Sequence, residues 1–267
     1  MPPMKWIISL FLFWTIFIQA HEFFDRFDQL KVENWEELCR VGEKALEEDL
    51  LPKEAAQIHA RLASSYFYLG DYEAMKKHTL ACQSLALDHD SQPYLIRSLY
   101  LLSAYYRGQK QFPIAQSTIQ EALKLLTEEI DPCLKAKVFF NAGAAWADDP
   151  NGNPHQALTY YKNALALFES HSDDAYRTQI RLAKVYLLLG QNKQAWKILL
   201  PLLEQTLEPK TTVHLLYVAA QLHLLEGNQV EALRLIEQAL PLAEQLQMKV
   251  DVERLKTLSH LSQSSGD

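Results

Sequence analysis

The sequence has few residues that interrupt helices and few motifs that carry chemistry. Glycine occurs 8 times and proline 11 times in 267 residues. The sequence lacks a Gly-rich phosphate loop, a His-Glu-x-x-His pair and a Cys-x-x-Cys pair. It therefore predicts no catalytic residues, no metal site and no cofactor. The net charge of −7 argues against a duplex nucleic-acid binder, because such proteins carry a basic surface.

The cysteine content does not support a disulfide scaffold. Cys39, Cys82 and Cys133 are an odd number of cysteines, and an odd number cannot form a complete disulfide framework. We interpret them as free thiols that are buried as small hydrophobic side chains. A single disulfide in an oxidising compartment is the alternative.

The first 20 residues have the pattern of a secretory signal peptide. A short cationic start ends at Lys5, an apolar stretch begins at Trp6, and the small residue Ala20 closes the segment. Cleavage there would make His21 the first residue of an exported protein, located in the periplasm, the cell envelope or the medium. An uncleaved membrane anchor and a buried N-terminal helix are the alternatives, although a spanning helix needs about 20 apolar residues. The absence of an Asn-x-Ser/Thr sequon favours a bacterial setting.

The rest of the chain is organised by a repeat. A motif of an apolar residue, a small residue, two variable residues and an aromatic residue recurs every 40 residues, and a last copy follows after 37. The small residues of this motif are Ala63, Ser103, Gly143, Ala183 and Ala220. A second column of alanines follows at Ala74, Ala115, Ala157, Ala195 and Ala232. Periods of this size predict a solenoid, in which each unit buries its apolar face against its neighbours.

The periodicity within each repeat is helical. The segment from Tyr94 to Arg107 contains no Gly or Pro and is too long to be a strand. Gly and Pro fall between such segments, at turns such as Gly70, Gly108 and Gly190. Small residues allow two helices to approach closely, and the aromatic residues fill the space beside each contact. The sequence therefore predicts an all-α protein without a sheet.

The two columns resemble the tetratricopeptide repeat (TPR). The resemblance implies a right-handed α-solenoid of antiparallel helix pairs, with a degenerate leading repeat or cap at 21–52, five repeats at 53–246 and a capping helix and tail at 247–267. In that helix we expect Leu255, Leu258 and Leu261 to face inward. The family repeat has about 34 residues, whereas the alanines here are 41, 42, 38 and 37 apart, as in longer TPR units of bacterial regulators. Pro201 and Pro241 are expected to kink the second helices of the last two repeats.

The resemblance also implies where a partner binds, because the first helix of each repeat lines the concave groove. The residues expected in that groove are Gln57, Arg97, Tyr100, Lys137, Phe140, Arg177, Arg181, Lys184, His214 and Tyr217. Three of the basic residues are 40 positions apart and would form a stripe beside aromatic side chains. We expect this stripe to bind an acidic peptide or protein segment. The alternative interpretation is a solvated helix face that keeps the solenoid soluble.

These observations predict a non-enzymatic scaffold or adaptor that binds a peptide or protein segment by preorganised concave recognition. Two other functions stay open: a secreted effector that acts on a host protein, and a regulatory domain that senses a peptide. The partner is expected to be a protein rather than a nucleic acid, and any membrane contact would come from an uncleaved N-terminal segment.

Overall fold

A computed structural model describes Phe23, Phe24, Phe27 and the continuous range 34–264. Within these residues every regular element is an α-helix, as the sequence predicted. The signal peptide predicted for residues 1–20 lies outside the described residues. In the described part of the chain, no helix combines the length and the apolar character needed to cross a bilayer.

Twelve helices follow one another along the described residues. In chain order they are α1 (Trp35–Ala45), α2 (Pro52–Leu69), α3 (Tyr72–Asp88), α4 (Gln92–Gly108), α5 (Phe112–Lys124), α6 (Pro132–Ala147), α7 (Pro154–Leu165), α8 (Asp173–Leu188), α9 (Asn192–Leu203), α10 (Pro209–Leu225), α11 (Gln229–Gln245) and α12 (Lys249–Ser264).

The helices form an α-solenoid. Each of α2, α4, α6, α8 and α10 packs against the helix that follows it, which makes five helix pairs. The first helices of successive pairs also contact one another, from α2 to α10, and thus form one continuous wall. α1 packs on α2 and α12 packs on α11, so that each end of the stack is covered. The boundaries proposed for the leading segment and the repeats remain predictions.

Short turns join the two helices of a pair. Gly70 ends α2 with φ 73°, a left-handed conformation that glycine adopts without a steric penalty. Asp71 then begins α3 by accepting a hydrogen bond from the amide of Ala74. The turn after α4 differs from the prediction, because Lys110 adopts the left-handed conformation and Gly108 is still helical. Gly108 is small for a different reason: a Cβ there would lie 2.2 Å from the Tyr72 ring.

The column of small residues lies at the contacts between helices, as expected from the sequence. Ala63, Ala183 and Ala220 are fully buried. A Cβ at Gly143 would lie 2.8 Å from the ring of Tyr161, which is itself fully buried. The second helices can therefore approach the first ones only because the residues between them are small.

Two predictions about the C-terminal part have different outcomes. Leu255 and Leu258 face the core as expected, whereas Leu261 is 57% exposed and lies outside the core. No further helix follows within the described residues to cover the last turn of α12. Pro201 and Pro241 lie inside α9 and α11, and both helices continue past them. The kinks at these prolines remain predictions.

The solenoid curves until its two ends meet. α12 contacts α2, and a Cβ at Gly70 would lie 3.4 Å from Val250. Arg177 of α8 donates a hydrogen bond of 2.7 Å to the hydroxyl of Tyr68 in α2. Lys210 of α10 lies 5.6 Å from the centre of the Tyr68 ring. These contacts bridge the concave surface and make it a partly enclosed interior.

Candidate functional site

Two cavities lie in this partly enclosed interior among the described residues. The larger has a volume of about 1040 Å³ and the smaller about 480 Å³. Eight of the ten residues predicted to line the groove line one of these cavities. Tyr100, Lys137, Phe140, Arg177, Arg181 and His214 line the smaller cavity, and Lys184 and Tyr217 line the larger one. The structure therefore brings most of the predicted residues together, on four different helices.

Gln57 and Arg97 line neither of these two cavities, and their place in the groove remains a prediction. Each is the sixth residue of its helix, whereas residues farther along α2 and α4, such as Phe67 and Arg107, line the smaller cavity. Arg97 instead lies against the helix face that carries Tyr94, with its guanidinium carbon 5.9 Å from the centre of that ring. Burial opposes its charge, but Tyr100 and Tyr94 outweigh burial and raise the pKa of Arg97.

Asp148 is the centre of an ion cluster between the cavities. It follows α6 as its C-cap and is 13% exposed. Its Oδ2 atom accepts from Arg107 Nη1 at 2.5 Å, and its Oδ1 atom accepts from Arg181 Nη1 at 3.3 Å and from Lys184 Nζ at 3.2 Å. Burial opposes the ionisation of Asp148, but Lys184, Arg181 and Arg107 together hold its pKa well below the usual range.

This cluster carries more positive than negative charge. Three cations surround one carboxylate, which leaves a formal charge of +2 in a partly buried site. The pKa of Lys184 reflects this excess of positive charge. The carboxylate of Asp148 favours the protonated form of Lys184, but burial and repulsion by Arg181 and Arg254 outweigh this attraction and lower the pKa of Lys184. The cluster therefore has capacity for a further anion.

Arg177 forms a second polar centre in the smaller cavity. It donates to Tyr68 at 2.7 Å and to Asp174 at 3.2 Å, and its guanidinium carbon lies 5.3 Å from the centre of the Phe140 ring. Burial opposes its charge, but Tyr68 and Asp174 raise the pKa of Arg177. Its buried Nε has no hydrogen-bond partner among the described residues. Lys137 lies 3.8 Å from Asp174, so the predicted basic stripe is largely paired with acidic side chains.

Asp251 of α12 is the centre of a third polar group in the interior. It lies 3.6 Å from His214 and 3.2 Å from Arg254. Burial raises the pKa of Asp251, but His214 and Arg254 act in the opposite direction and lower it to about 2. Burial lowers the pKa of His214 more than Asp251 raises it. His214 is therefore mainly a neutral hydrogen-bonding group near pH 7, and not a member of the basic stripe.

The sequence reasoning missed Arg107 and the acidic residues that pair with the stripe. Phe67 and Arg107 occupy the same repeat position, four residues after the small column, and both line both cavities. This period of 40 was a signal that could have identified Arg107. Asp148 and Asp174 lie at the end of α6 and in the first turn of α8, outside the two repeat columns, and no repeat pattern pointed to them.

The cysteines and the other possible metal ligands of the described residues do not form a cluster. Within the described residues, no group of three or more His, Cys, Asp or Glu side chains is arranged to hold a metal ion. All three cysteines are free, Cys39 and Cys82 are buried as expected, and Cys133 is exposed, contrary to our interpretation. Burial raises the pKa of Cys39 and of Cys82 to about 12, which makes both thiols poor nucleophiles.

Comparison with known proteins supports this architecture. No family model matches the chain. The regulatory protein RapG of Bacillus subtilis is 24% identical over 155 residues, which are 58% of this chain and 40% of RapG. The chain thus aligns with less than half the length of this curated relative, and the likeness does not define its activity.

Solved structures give a closer match in shape. A tetratricopeptide repeat protein from Parabacteroides merdae superposes with a TM-score of 0.60 and 14% identity, over 93% of this chain and 84% of that protein. The fold is a TPR-like α-solenoid. The Rap conjugation gene regulator of plasmid pLS20, in complex with the Phr* peptide, superposes with a TM-score of 0.65 and 13% identity, over 95% of this chain and 76% of that protein. At these identities the similarity establishes the fold alone.

Proposed function

We propose that the protein is a non-catalytic receptor for a peptide or for an extended protein segment, which binds in the enclosed interior. The observation that carries this proposal is the pair of cavities, which are lined by aromatic side chains and by fixed polar groups from several helices. Such a mixture of apolar surface and a few oriented polar groups is typical of ligand sites. The Phr* peptide in the pLS20 regulator supports the peptide-sensing alternative over a passive scaffold.

The closure of the solenoid limits what can bind. Tyr68 and Arg177 connect α2 to α8, so a folded partner cannot lie along the concave surface without breaking this contact. An extended chain needs only a narrow passage and can pair its backbone with side chains of the wall, such as Asn141 and Gln221, which line the smaller and the larger cavity. Gln221 Oε1 is buried and has no partner among the described residues, so it offers an acceptor for a ligand N–H group.

The ligand is proposed to be acidic. The acidic residues of the interior neutralise much of the basic stripe, but the cluster at Asp148 keeps an excess of two positive charges. In a partly buried site this excess is screened less than on the surface. Negatively charged peptides should therefore bind more tightly than neutral peptides of the same length.

A photocrosslinking experiment with two neighbouring residues tests the site. Phe140 lines the smaller cavity, whereas the adjacent Phe139 packs against Tyr160 with ring centres 6.4 Å apart. A photoreactive phenylalanine analogue placed at either position in the source cells keeps the aromatic character of the residue. We expect a peptide adduct by mass spectrometry at position 140 and none at position 139. Adducts of equal yield at both positions, or at 139 alone, would contradict an interior site.

Export of the protein remains a proposal that rests on the first 20 residues. Their charge, apolar stretch and terminal small residue support a cleaved signal. If it is cleaved, the receptor meets its ligand outside the cytoplasm.

A further inference from the structure

The three cations of the Asp148 cluster differ in how far they are buried. Arg107 is the most buried of the three, with 8% of its side chain exposed, and it makes the shortest contact with Asp148. Arg181 and Lys184 keep 19% and 25% exposure and line the smaller and the larger cavity respectively. Arg107 is thus suited to hold Asp148 in place, whereas Arg181 and Lys184 remain accessible from the two cavities.

Arg181 and Lys184 retain donors that Asp148 does not use. Within the described part of the chain, Arg181 hydrogen-bonds Asp148 through Nη1 alone and Lys184 makes one contact through Nζ. A guanidinium carries five N–H donors and an ammonium carries three. Both groups can therefore bind a second acceptor while they keep their contact with Asp148.

We propose that Arg181 and Lys184 bind a carboxylate of the ligand beside Asp148, at the boundary between the two cavities. This inference rests on the proposed peptide receptor and adds the place at which one carboxylate of that peptide binds. The planar guanidinium of Arg181 matches the geometry of a carboxylate. A singly charged carboxylate reduces the excess charge of the cluster from +2 to +1, whereas a doubly charged phosphate would repel Asp148 more strongly at the same distance.

A peptide can supply this carboxylate in two ways, through its C-terminus or through an Asp or Glu side chain. The probe that separates them is a randomised, N-acetylated hexapeptide library made in two forms, with a free C-terminal acid and with a C-terminal amide. Each form is incubated with the full chain, the complex is isolated by gel filtration, and the retained peptides are sequenced by mass spectrometry.

The expected result is a preference for carboxylates. Binding through the C-terminus predicts at least about tenfold more retention of the acid form than of the amide form, as expected for a charge-assisted hydrogen bond. Binding through a side chain predicts enrichment of Asp or Glu at one position in both forms. Retention of both forms to the same extent, without Asp or Glu enrichment, would overturn the carboxylate site but leave a peptide receptor. Retention of neither form would contradict the receptor itself and the carboxylate site with it.

Variants then locate the site. Lys184→Gln and Arg181→Gln each remove one cation, and each should reduce the preference for carboxylates about tenfold while neutral peptides bind as before. Lys249→Gln is the matched control, because Lys249 is an exposed cation that lines the larger cavity outside the cluster. Equal losses in Lys249→Gln and Lys184→Gln would show a general effect of charge and would contradict the assignment. If the cluster variants fail to fold, the absence of any carboxylate preference in the wild-type protein would still overturn the proposal.

Discussion

Arg177 donates a hydrogen bond to the hydroxyl of Tyr68 across 109 residues of sequence, at a distance of 2.7 Å. This contact joins the first helix pair to the fourth and encloses the interior of the solenoid. The same arginine also pairs with Asp174 at 3.2 Å, so its position is fixed from two sides. A single side-chain contact thus links the closure of the ring to the wall of the smaller cavity.

Removal of the Tyr68 hydroxyl should destabilise this closure. In Tyr68→Phe the buried guanidinium of Arg177 loses one acceptor, and we expect the free energy of unfolding to fall by about 1–3 kcal/mol. The measurement is the midpoint of urea unfolding followed by circular dichroism. Tyr72→Phe is the control, because the contact of Tyr72 with Phe67 is between rings and does not need the hydroxyl. Equal midpoints for Tyr68→Phe and the wild type would show that the closure does not depend on this hydrogen bond.

The small residue at 143 should be required by the ring of Tyr161. Gly143→Ala places a Cβ 2.8 Å from this fully buried ring, and overpacking of this kind costs about 1–3 kcal/mol of unfolding free energy. A second substitution, Tyr161→Leu, should recover part of the loss in the double variant. Gly190→Ala is the comparison variant, because it should lose stability for a different reason. A Cβ at Gly190 has no neighbour within 4 Å, but the residue has φ 68°. Only the backbone penalty of about 1 kcal/mol therefore applies. The prediction fails if Tyr161→Leu and Gly143→Ala are additive.

Asp148 should be essential for the stability of the interior. Asp148→Asn leaves Arg107, Arg181 and Lys184 close together without a carboxylate, and loss of one partner from a buried ion cluster costs about 3–5 kcal/mol. Asp149→Asn is the neighbouring control; Asp149 accepts from Gln116 at 3.0 Å and belongs to no ion pair among the described residues. Thermal unfolding should show a much larger decrease for Asp148→Asn than for Asp149→Asn. Similar decreases would indicate that the three cations are solvated well enough to tolerate the loss.

A histidine pair near the N-terminal end of the solenoid should make stability depend on pH. His78 Nε2 lies 2.8 Å from Glu43 and His78 Nδ1 lies 2.9 Å from His59 Nδ1. An ionised carboxylate only accepts, so neutral His78 donates from Nε2 and accepts from His59 at Nδ1. A proton on His78 Nδ1 would break this arrangement.

The sign of the effect follows from the lowered pKa values. Burial, followed by repulsion from His78, lowers the pKa of His59 from 6.5 to about 4, and burial lowers the pKa of His78 despite its contact with Glu43. Between pH 6.5 and 4 the unfolded chain therefore binds more protons than the folded one, and stability falls as the pH falls through this window. His59→Leu should flatten the dependence, and His260→Gln, at an exposed position, should not. The test is the urea midpoint measured at several pH values.

The proposed export signal leads to a simple mass measurement. Cleavage after Ala20 would give a protein that begins at His21, found in the envelope fraction or the medium. A full-length mass in the membrane fraction would support the anchor instead. A full-length mass in the soluble cytoplasmic fraction would contradict both forms of export.

Much of the wall of the site was predictable, because it follows the repeat. Tyr100, Lys137, Phe140 and Arg177 stand at fixed offsets from the small column, and a repeat places equal offsets on the same face of successive helices. Gln57 and Arg97 have the same offsets but lie outside both cavities. The offset identifies a face of a helix, whereas the curvature of the whole stack decides which turn of that face lines the interior.

The sequence by itself determined the helical class, the helix pairs and the close contacts at Gly143 and its equivalents, because these depend on residues that are near in the chain or one repeat apart. Only the tertiary structure decided that the ends of the solenoid meet at Tyr68 and Arg177 and that Asp148 gathers Arg107, Arg181 and Lys184. Small rotations between successive helix pairs add up over five pairs, and no local pattern encodes their sum. The summed rotation decides which acidic and basic residues come close to one another, and it therefore also decides the net charge of the interior.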